Sequence, residues 1–337
     1  METSKAAVIG AGAWGTALAA VLAEGARRPV SIWSFEAEVA GDIRERHENS
    51  RYLPGTTLPS CIASTTELEQ AVEGAGLVVL VSPSHVTRRL LERLAPLLPS
   101  QVTLVCATKG IENETLMTMS EVCEDVLPPE RHPYLAYLSG PSFAREVAQR
   151  MPTAVVVASR WERIARQVQT AFARPWFRVY TSTDVVGVEL GGALKNVIAI
   201  AAGASDGLGF GHNARSALVT RGIAEMSRLA LRKGANPLTL SGLAGVGDLI
   251  LTCTGELSRN RQVGLRLGLG ERPEAILASM TQVAEGVRTA KSVHDLAARL
   301  RVEMPICERV YEVLFEGLTA REAVARLMTR ELKPEFG

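Results

Sequence analysis

The stretch Ala6-Ala-Val-Ile-Gly10-Ala-Gly12-Ala-Trp14-Gly15-Thr-Ala-Leu-Ala-Ala, residues 6–20, decides how the first half of the chain folds. Ala6 to Ile9 is a short, uniformly apolar run, as a strand buried on both faces should be. Gly10, Gly12 and Gly15 follow at the spacing GxGxxG. Apolar residues then recur at helical spacing over Trp14 to Ala23, and Val30 to Trp33 reads as a second strand. Together these complete a βαβ unit of about 30 residues, the context in which the glycine spacing predicts a dinucleotide site. Glycine at 10 permits the tight turn, glycine at 12 lets a pyrophosphate approach the backbone, and glycine at 15 permits close helix packing. The N-terminus of the helix offers N–H donors and the positive end of its dipole to the phosphates.

The alternation continues outward from this unit. Leu77 to Val81, Val102 to Cys106, Tyr134 to Leu138 and Ala154 to Val157 read as further strands. Glu36 to Glu48, Ser84 to Leu94 and Trp161 to Phe172 read as amphipathic helices, with Ser84 able to cap its helix just after Pro83. This is the pattern of a parallel sheet covered by helices. Near Thr183 the character changes. Beyond Val185 no β alternation appears, and helices are predicted at about 185–204, 214–233, 273–280, 286–299, 306–315 and 319–331. The division expected is a nucleotide-binding domain over residues 1–184 and an all-helical substrate and catalytic domain over 185–337. A chain of 337 residues suits two domains at roughly 100 to 200 residues each.

Composition narrows the function classes. Lysine plus arginine (37) nearly cancels aspartate plus glutamate (36), so no broad basic field exists to collect nucleic acid or anionic lipid. Five cysteines form no CxxC pair and cannot all close into intrachain disulfides, which points to reduced cytosolic thiols. The five histidines show no HExxH or other ligand spacing, so no metal is expected. Met1 to Lys5 leaves no room for a signal-peptide apolar region. The most apolar later run, Leu190 to Ala204, is shorter than the roughly 20 residues a bilayer crossing needs. A soluble, cytoplasmic protein without membrane insertion is expected.

Only six of the 37 basic residues are lysine, and Lys195 stands with Asn196 inside Leu190-Gly-Gly-Ala-Leu-Lys-Asn-Val-Ile-Ala, where nearly every neighbour is apolar. A buried ammonium is costly unless it snorkels to water or serves a function, and burial lowers its pKa toward the range useful for proton transfer. Lys109, in Ala107-Thr-Lys-Gly110, follows a strand and so projects from the carboxyl end of the sheet, or is simply a solvated loop lysine. Ser139-Gly140-Pro-Ser142-Phe-Ala144 also follows a strand and suits a ligand as well as it suits a capped turn. Gly245-Val-Gly247-Asp248 supplies a carboxylate. Ser258-Arg259-Asn260-Arg261 supplies donors for a phosphate, or lies at the surface. Glu36, about 20 residues past the fingerprint, either meets the adenosine ribose or starts a solvated helix.

These motifs, from Gly-Ala-Gly-Ala-Trp-Gly through Ala-Thr-Lys-Gly, Ser-Gly-Pro-Ser-Phe-Ala, Gly-Gly-Ala-Leu-Lys-Asn and Gly-Asp-Leu-Ile-Leu-Thr-Cys to Ser-Arg-Asn-Arg, closely resemble in order the bacterial NAD(P)-dependent glycerol-3-phosphate dehydrogenases. The resemblance runs from about residue 6 to about 330. It implies an α/β N-terminal Rossmann domain with a mostly parallel, doubly wound sheet, then an all-α C-terminal domain. It also implies hydride transfer from NADH or NADPH to dihydroxyacetone phosphate, giving sn-glycerol 3-phosphate for phospholipid synthesis, by a homodimer. Carried across, it makes Lys195 the proton donor, with Lys109 and Asp248 beside it. Lys109, Gly140, Ser142, Lys195, Asn196, Asp248, Ser258, Arg259 and Asn260 would line the substrate. Gly10, Gly12, Trp14, Gly15, Phe35, Tyr52, Lys109, Ala144, Arg259, Val283 and Glu285 would meet the cofactor. Many relatives place a basic residue where this chain has Phe35, which bears on NADP preference. The rival readings are a hydroxyacid dehydrogenase of similar build and a dinucleotide sensor without turnover, and the sensor needs no proton donor.

Overall fold

The computed structural model describes residues 4–26, 29–280, 284–332 and 334–335. Among these, one eight-stranded sheet organises the first half, in the spatial order Phe177–Ser182, Thr153–Ala158, Leu135–Ser139, Thr103–Cys106, Ala75–Leu80, Lys5–Ile9, Val30–Trp33, Ile62–Thr65. All neighbours are parallel except Leu135–Ser139 with Thr153–Ala158, which are antiparallel. The inner strands are almost wholly buried, which is why they are uniformly apolar. The chain leaves Lys5–Ile9 toward one side of the sheet and later resumes on its other side at Ala75–Leu80, so a crevice opens at the carboxyl ends of these central strands.

Two sheet strands are missing from the sequence reading, for different reasons. Phe177–Ser182, one of the two edge strands, alternates buried with exposed residues. Ile62–Thr65 carries polar residues into the sheet, where the Ser64 hydroxyl donates to the Ala40 carbonyl. A short antiparallel pair, Glu48–Asn49 with Leu53–Thr57, lies beside the first unit. The capping role expected of Ser84 is not observed. Pro83 occupies the cap position without a side-chain bond, and the Ser84 hydroxyl instead donates to Glu285 Oε2 at 2.8 Å.

From Val185 the chain is helical. The Val185–Gly207 helix is the axis of this part, opened by Asp184, whose carboxylate accepts from the Gly187 N–H at 2.9 Å. At 23 residues it is longer than the expected 185–204, and with a mean hydropathy of 1.6 it is long and apolar enough to cross a membrane. In the structure 83% of its apolar window is buried inside the protein. The Pro237–Thr254 run passes the same length and composition test. The Arg259–Gly268 helix escapes the sequence reading because its glycines read as a loop. They are contact points: a Cβ on Gly264 would lie 1.9 Å from the Ile200 carbonyl oxygen, and one on Gly203 would lie 1.9 Å from that of Arg261. Two helix backbones therefore meet directly, and no larger residue fits between them.

Candidate active site

The fingerprint loop has the shape a pyrophosphate needs. Gly10 holds φ +124°, a conformation that favours glycine, and a Cβ there would lie 2.0 Å from the Val81 carbonyl oxygen. A Cβ on Gly15 would lie 1.9 Å from the Gly10 carbonyl oxygen, so the helix packs tightly onto the strand end. At Gly12 a Cβ would meet nothing within 4 Å, which leaves open space at the N-terminus of the Ala13–Ala26 helix. Asn49, fully buried, braces the loop by donating to the Ala11 carbonyl at 2.7 Å and the Thr16 hydroxyl at 2.8 Å. Sequence reasoning missed Asn49 because the pair of short strands that delivers it was not visible.

At the ribose end Phe35 is 79% exposed. Glu36 stands just before the Ala37–Arg46 helix but makes no cap bond. Its carboxylate accepts from the Tyr52 hydroxyl at 2.7 Å, and the Arg51 guanidinium lies 5.3 Å from the Tyr52 ring centre. Glu36 is therefore held in place and is not the start of a freely solvated helix. Trp14 keeps its indole N–H buried with no hydrogen-bond partner among the described residues. Ala144 opens the short Ala144–Ala148 helix and packs against the sheet core.

The other candidates converge where the sheet meets the axial helix. Lys195, 7% exposed, donates to Asp248 Oδ1 at 2.6 Å and to the Thr252 hydroxyl at 2.9 Å. Lys109 donates to Asp248 Oδ2 at 2.7 Å and to the Gly140 carbonyl at 3.1 Å. One carboxylate, 1% exposed, thus holds two ammonium groups, one on each oxygen. The local excess of one positive charge suits an anionic substrate. Burial lowers the Lys195 pKa to about 8; Asp248 pulls it up, and Lys109 pushes it down. Thr252 was not singled out from the sequence. Lying four residues after Asp248 on one helix, it donates its hydroxyl proton to the Asp248 carbonyl at 2.6 Å and so faces Lys195 as an acceptor.

Two further groups border this array. The Ser142 hydroxyl donates to the Gly140 carbonyl at 3.0 Å. Asn260 Nδ2 donates to Asn196 Oδ1 at 2.9 Å, while Asn260 Oδ1 accepts from the Gly286 N–H at 2.9 Å, tying three helices together. Ser258 caps the Arg259–Gly268 helix, its hydroxyl accepting from the Arg261 N–H at 3.2 Å. Arg259, the first residue of that helix, keeps solvent-accessible surface, yet the protein crowded around its head group lowers its pKa and Glu285 opposes that shift. Its head group is thus accessible to a ligand from solvent. Val283 lies outside the described residues.

The comparisons with known proteins follow the same division. Residues 5–165 match the sequence model of the NAD-dependent glycerol-3-phosphate dehydrogenase N-terminus, and residues 184–325 match that of its C-terminus. The chain belongs to the NAD-dependent glycerol-3-phosphate dehydrogenase family. It is 60% identical to the glycerol-3-phosphate dehydrogenase [NAD(P)+] of Anaeromyxobacter dehalogenans over 98% of this chain and 100% of that protein. The glycerol-3-phosphate dehydrogenase structure from Coxiella burnetii superposes with a TM-score of 0.93, at 38% identity, covering 98% of this chain and 100% of that one. A ketopantoate reductase of the PanE/ApbA family from Ralstonia eutropha, at 16% identity and a TM-score of 0.59, covers 96% of this chain and 99% of that one. That last likeness shows a shared fold alone. Within the glycerol-3-phosphate dehydrogenase family, the expected Rossmann sheet followed by a helical domain is the architecture observed here.

Proposed function

We propose that this protein reduces dihydroxyacetone phosphate to sn-glycerol 3-phosphate, reversibly, with NADH or NADPH as reductant. The observation that carries the reading is the array in which Asp248 holds the Lys195 and Lys109 ammonium groups side by side. When bound, a nicotinamide dinucleotide would supply the reducing equivalents, and the open cradle at Gly12, between the tight turns at Gly10 and Gly15, would hold its pyrophosphate. Lys195 delivers a proton to the oxygen that develops negative charge and takes it back in the reverse direction. Lys109 stabilises that oxygen electrostatically, and Asp248 orients both lysines. In this reading residues 1–184 form the nucleotide-binding domain and residues 185–337 the substrate and catalytic domain, with Arg259 and Glu285 reaching the cofactor from the second. The resemblance to the family further supports a cytoplasmic homodimer that feeds glycerophospholipid synthesis.

Arg259, with Ser258 and Asn260, is the proposed grip on the substrate phosphate, since a guanidinium fork matches two phosphate oxygens. Asn260 already spends its carbonyl on Gly286 and one amide hydrogen on Asn196, which leaves one donor for a ligand. Arg259→Lys keeps the charge and loses the fork. The KM for dihydroxyacetone phosphate is expected to rise about 10-fold, the equivalent of one charge-assisted hydrogen bond. An unchanged KM places the phosphate elsewhere.

The ribose end sets a second expectation. Glu36, fixed by Tyr52, repels a 2′-phosphate and accepts from a 2′-hydroxyl, while Arg51 beside Tyr52 partly offsets the repulsion. NADH is therefore a competent reductant, with a smaller NADPH advantage than a basic residue at position 35 would give. Phe35→Arg shifts the ratio of dissociation constants toward NADPH in fluorescence titrations. A strong wild-type preference for NADPH that ignores this substitution assigns the phosphate to another basic residue, Arg51 first.

A further inference from the structure

A cavity of about 10 Å³ lies against the Lys109 arm, with Tyr137, Ser139 and Glu189 in its wall. That volume admits one water. Two hydroxyls in the wall, on Ser139 (5% exposed) and Tyr137 (4% exposed), have no hydrogen-bond partner among the described residues. The Cys123 thiol, a weak acceptor, lies beside the Tyr137 hydroxyl. Buried hydroxyls in folded proteins are almost always satisfied, by protein or by water. Glu189 supplies the acceptor such a water needs. Its two oxygens take the Ser120 N–H, at 2.8 Å, and the Ser120 hydroxyl, and each retains a lone pair. Burial pushes this carboxyl up to about 7, against the hydrogen bonds from Ser120 and Thr118 that pull it down.

The geometry also ties Ser139 to Lys109. A Cβ built on Gly192 would lie 2.6 Å from Ser139 Oγ and 3.5 Å from Lys109 Cγ and Cδ, so hydroxyl and lysine stem both border the space that this bare glycine leaves. The next residue, Gly140, accepts from Lys109 Nζ. Ser139 thus borders the same space as the Lys109 stem, and Gly140 holds its ammonium.

We propose that this cavity is a binding site for one water, and that Ser139, through the water it shares with Tyr137 and Glu189, is a positioning residue that keeps Lys109 extended onto Asp248. The inference rests on the reading that Lys109 acts on the substrate oxygen. Ser139→Ala and Tyr137→Phe each remove one hydroxyl and leave the packing volume nearly unchanged. Each is expected to lower kcat roughly 10-fold, less than the 10²-fold cost of a full 1 Å misplacement, with little change in the KM for dihydroxyacetone phosphate.

The test is a double-mutant cycle with steady-state kinetics, combining each variant with Lys109→Ala, together with a crystal structure of the wild-type protein. One ordered water between Ser139 and Glu189, and no further kcat loss from Ser139→Ala or Tyr137→Phe once Lys109 is alanine, support the proposal. A dry cavity, unchanged kcat in Ser139→Ala, or a full kcat loss that persists in the Lys109→Ala background overturns it. Lys109→Ala with undiminished kcat instead overturns the role given to Lys109.

Discussion

Lys195→Ala is expected to lower kcat for dihydroxyacetone phosphate reduction at least about 10²-fold, within the 10² to 10⁴ that a positioned proton donor contributes. The dissociation constant for NADH should stay at its wild-type value, because the fingerprint loop at Gly10 to Gly15 is braced by Asn49 and shares no hydrogen bond with Lys195. Fluorescence titration alongside turnover separates the two effects. The wild-type pH profile carries the same information. With Lys195 held near 8, its acid form prevails below that pH, so reduction slows as pH rises through about 8. Oxidation of glycerol 3-phosphate, which needs the free amine, quickens over the same range. Near wild-type turnover in the alanine variant rejects Lys195 as the acid.

Asp248→Asn should be nearly as damaging for a different reason. The carboxylate gives one oxygen to each ammonium, whereas an amide offers one oxygen and turns N–H donors toward the other lysine. Asp248 also raises the Lys195 pKa against burial, so its loss lets that value fall further below the ordinary lysine range. The high-pH limb of the reduction profile should therefore move toward acid by about one unit or more. Two ammonium groups left without their carboxylate should cost about 3 kcal/mol of folding stability, read as a lower denaturant midpoint. A limb that stays in place removes Asp248 from the account of Lys195.

Much of this was legible in the sequence because the physics was local. A glycine turn after an apolar strand, a lysine in an apolar helix and a lysine at a strand end each announce themselves in a few residues. What escaped depends on distant partners. Ser84 is an ordinary cap candidate until the Glu285–Leu300 helix brings a carboxylate to it. The glycines of the Arg259–Gly268 helix look like loop residues until the axial helix presses against them. Thr252 gains its meaning only from Lys195, 57 residues earlier. The Asn196–Asn260 pair, joined across 64 residues, likewise binds elements that periodicity shows one at a time. The apolar run around Lys195 also looked too short to cross a bilayer, because polar residues within it interrupt the pattern but not the helix.

The measurement that bears most directly on the central claim is absorbance-monitored oxidation of NADH and NADPH by the purified protein with dihydroxyacetone phosphate, with a 2-oxo acid, and with neither. The two-lysine, one-carboxylate array and the accessible Arg259 guanidinium predict rapid oxidation with dihydroxyacetone phosphate alone, abolished in Lys195→Ala. Faster turnover of the 2-oxo acid, or no oxidation with dihydroxyacetone phosphate, would contradict it.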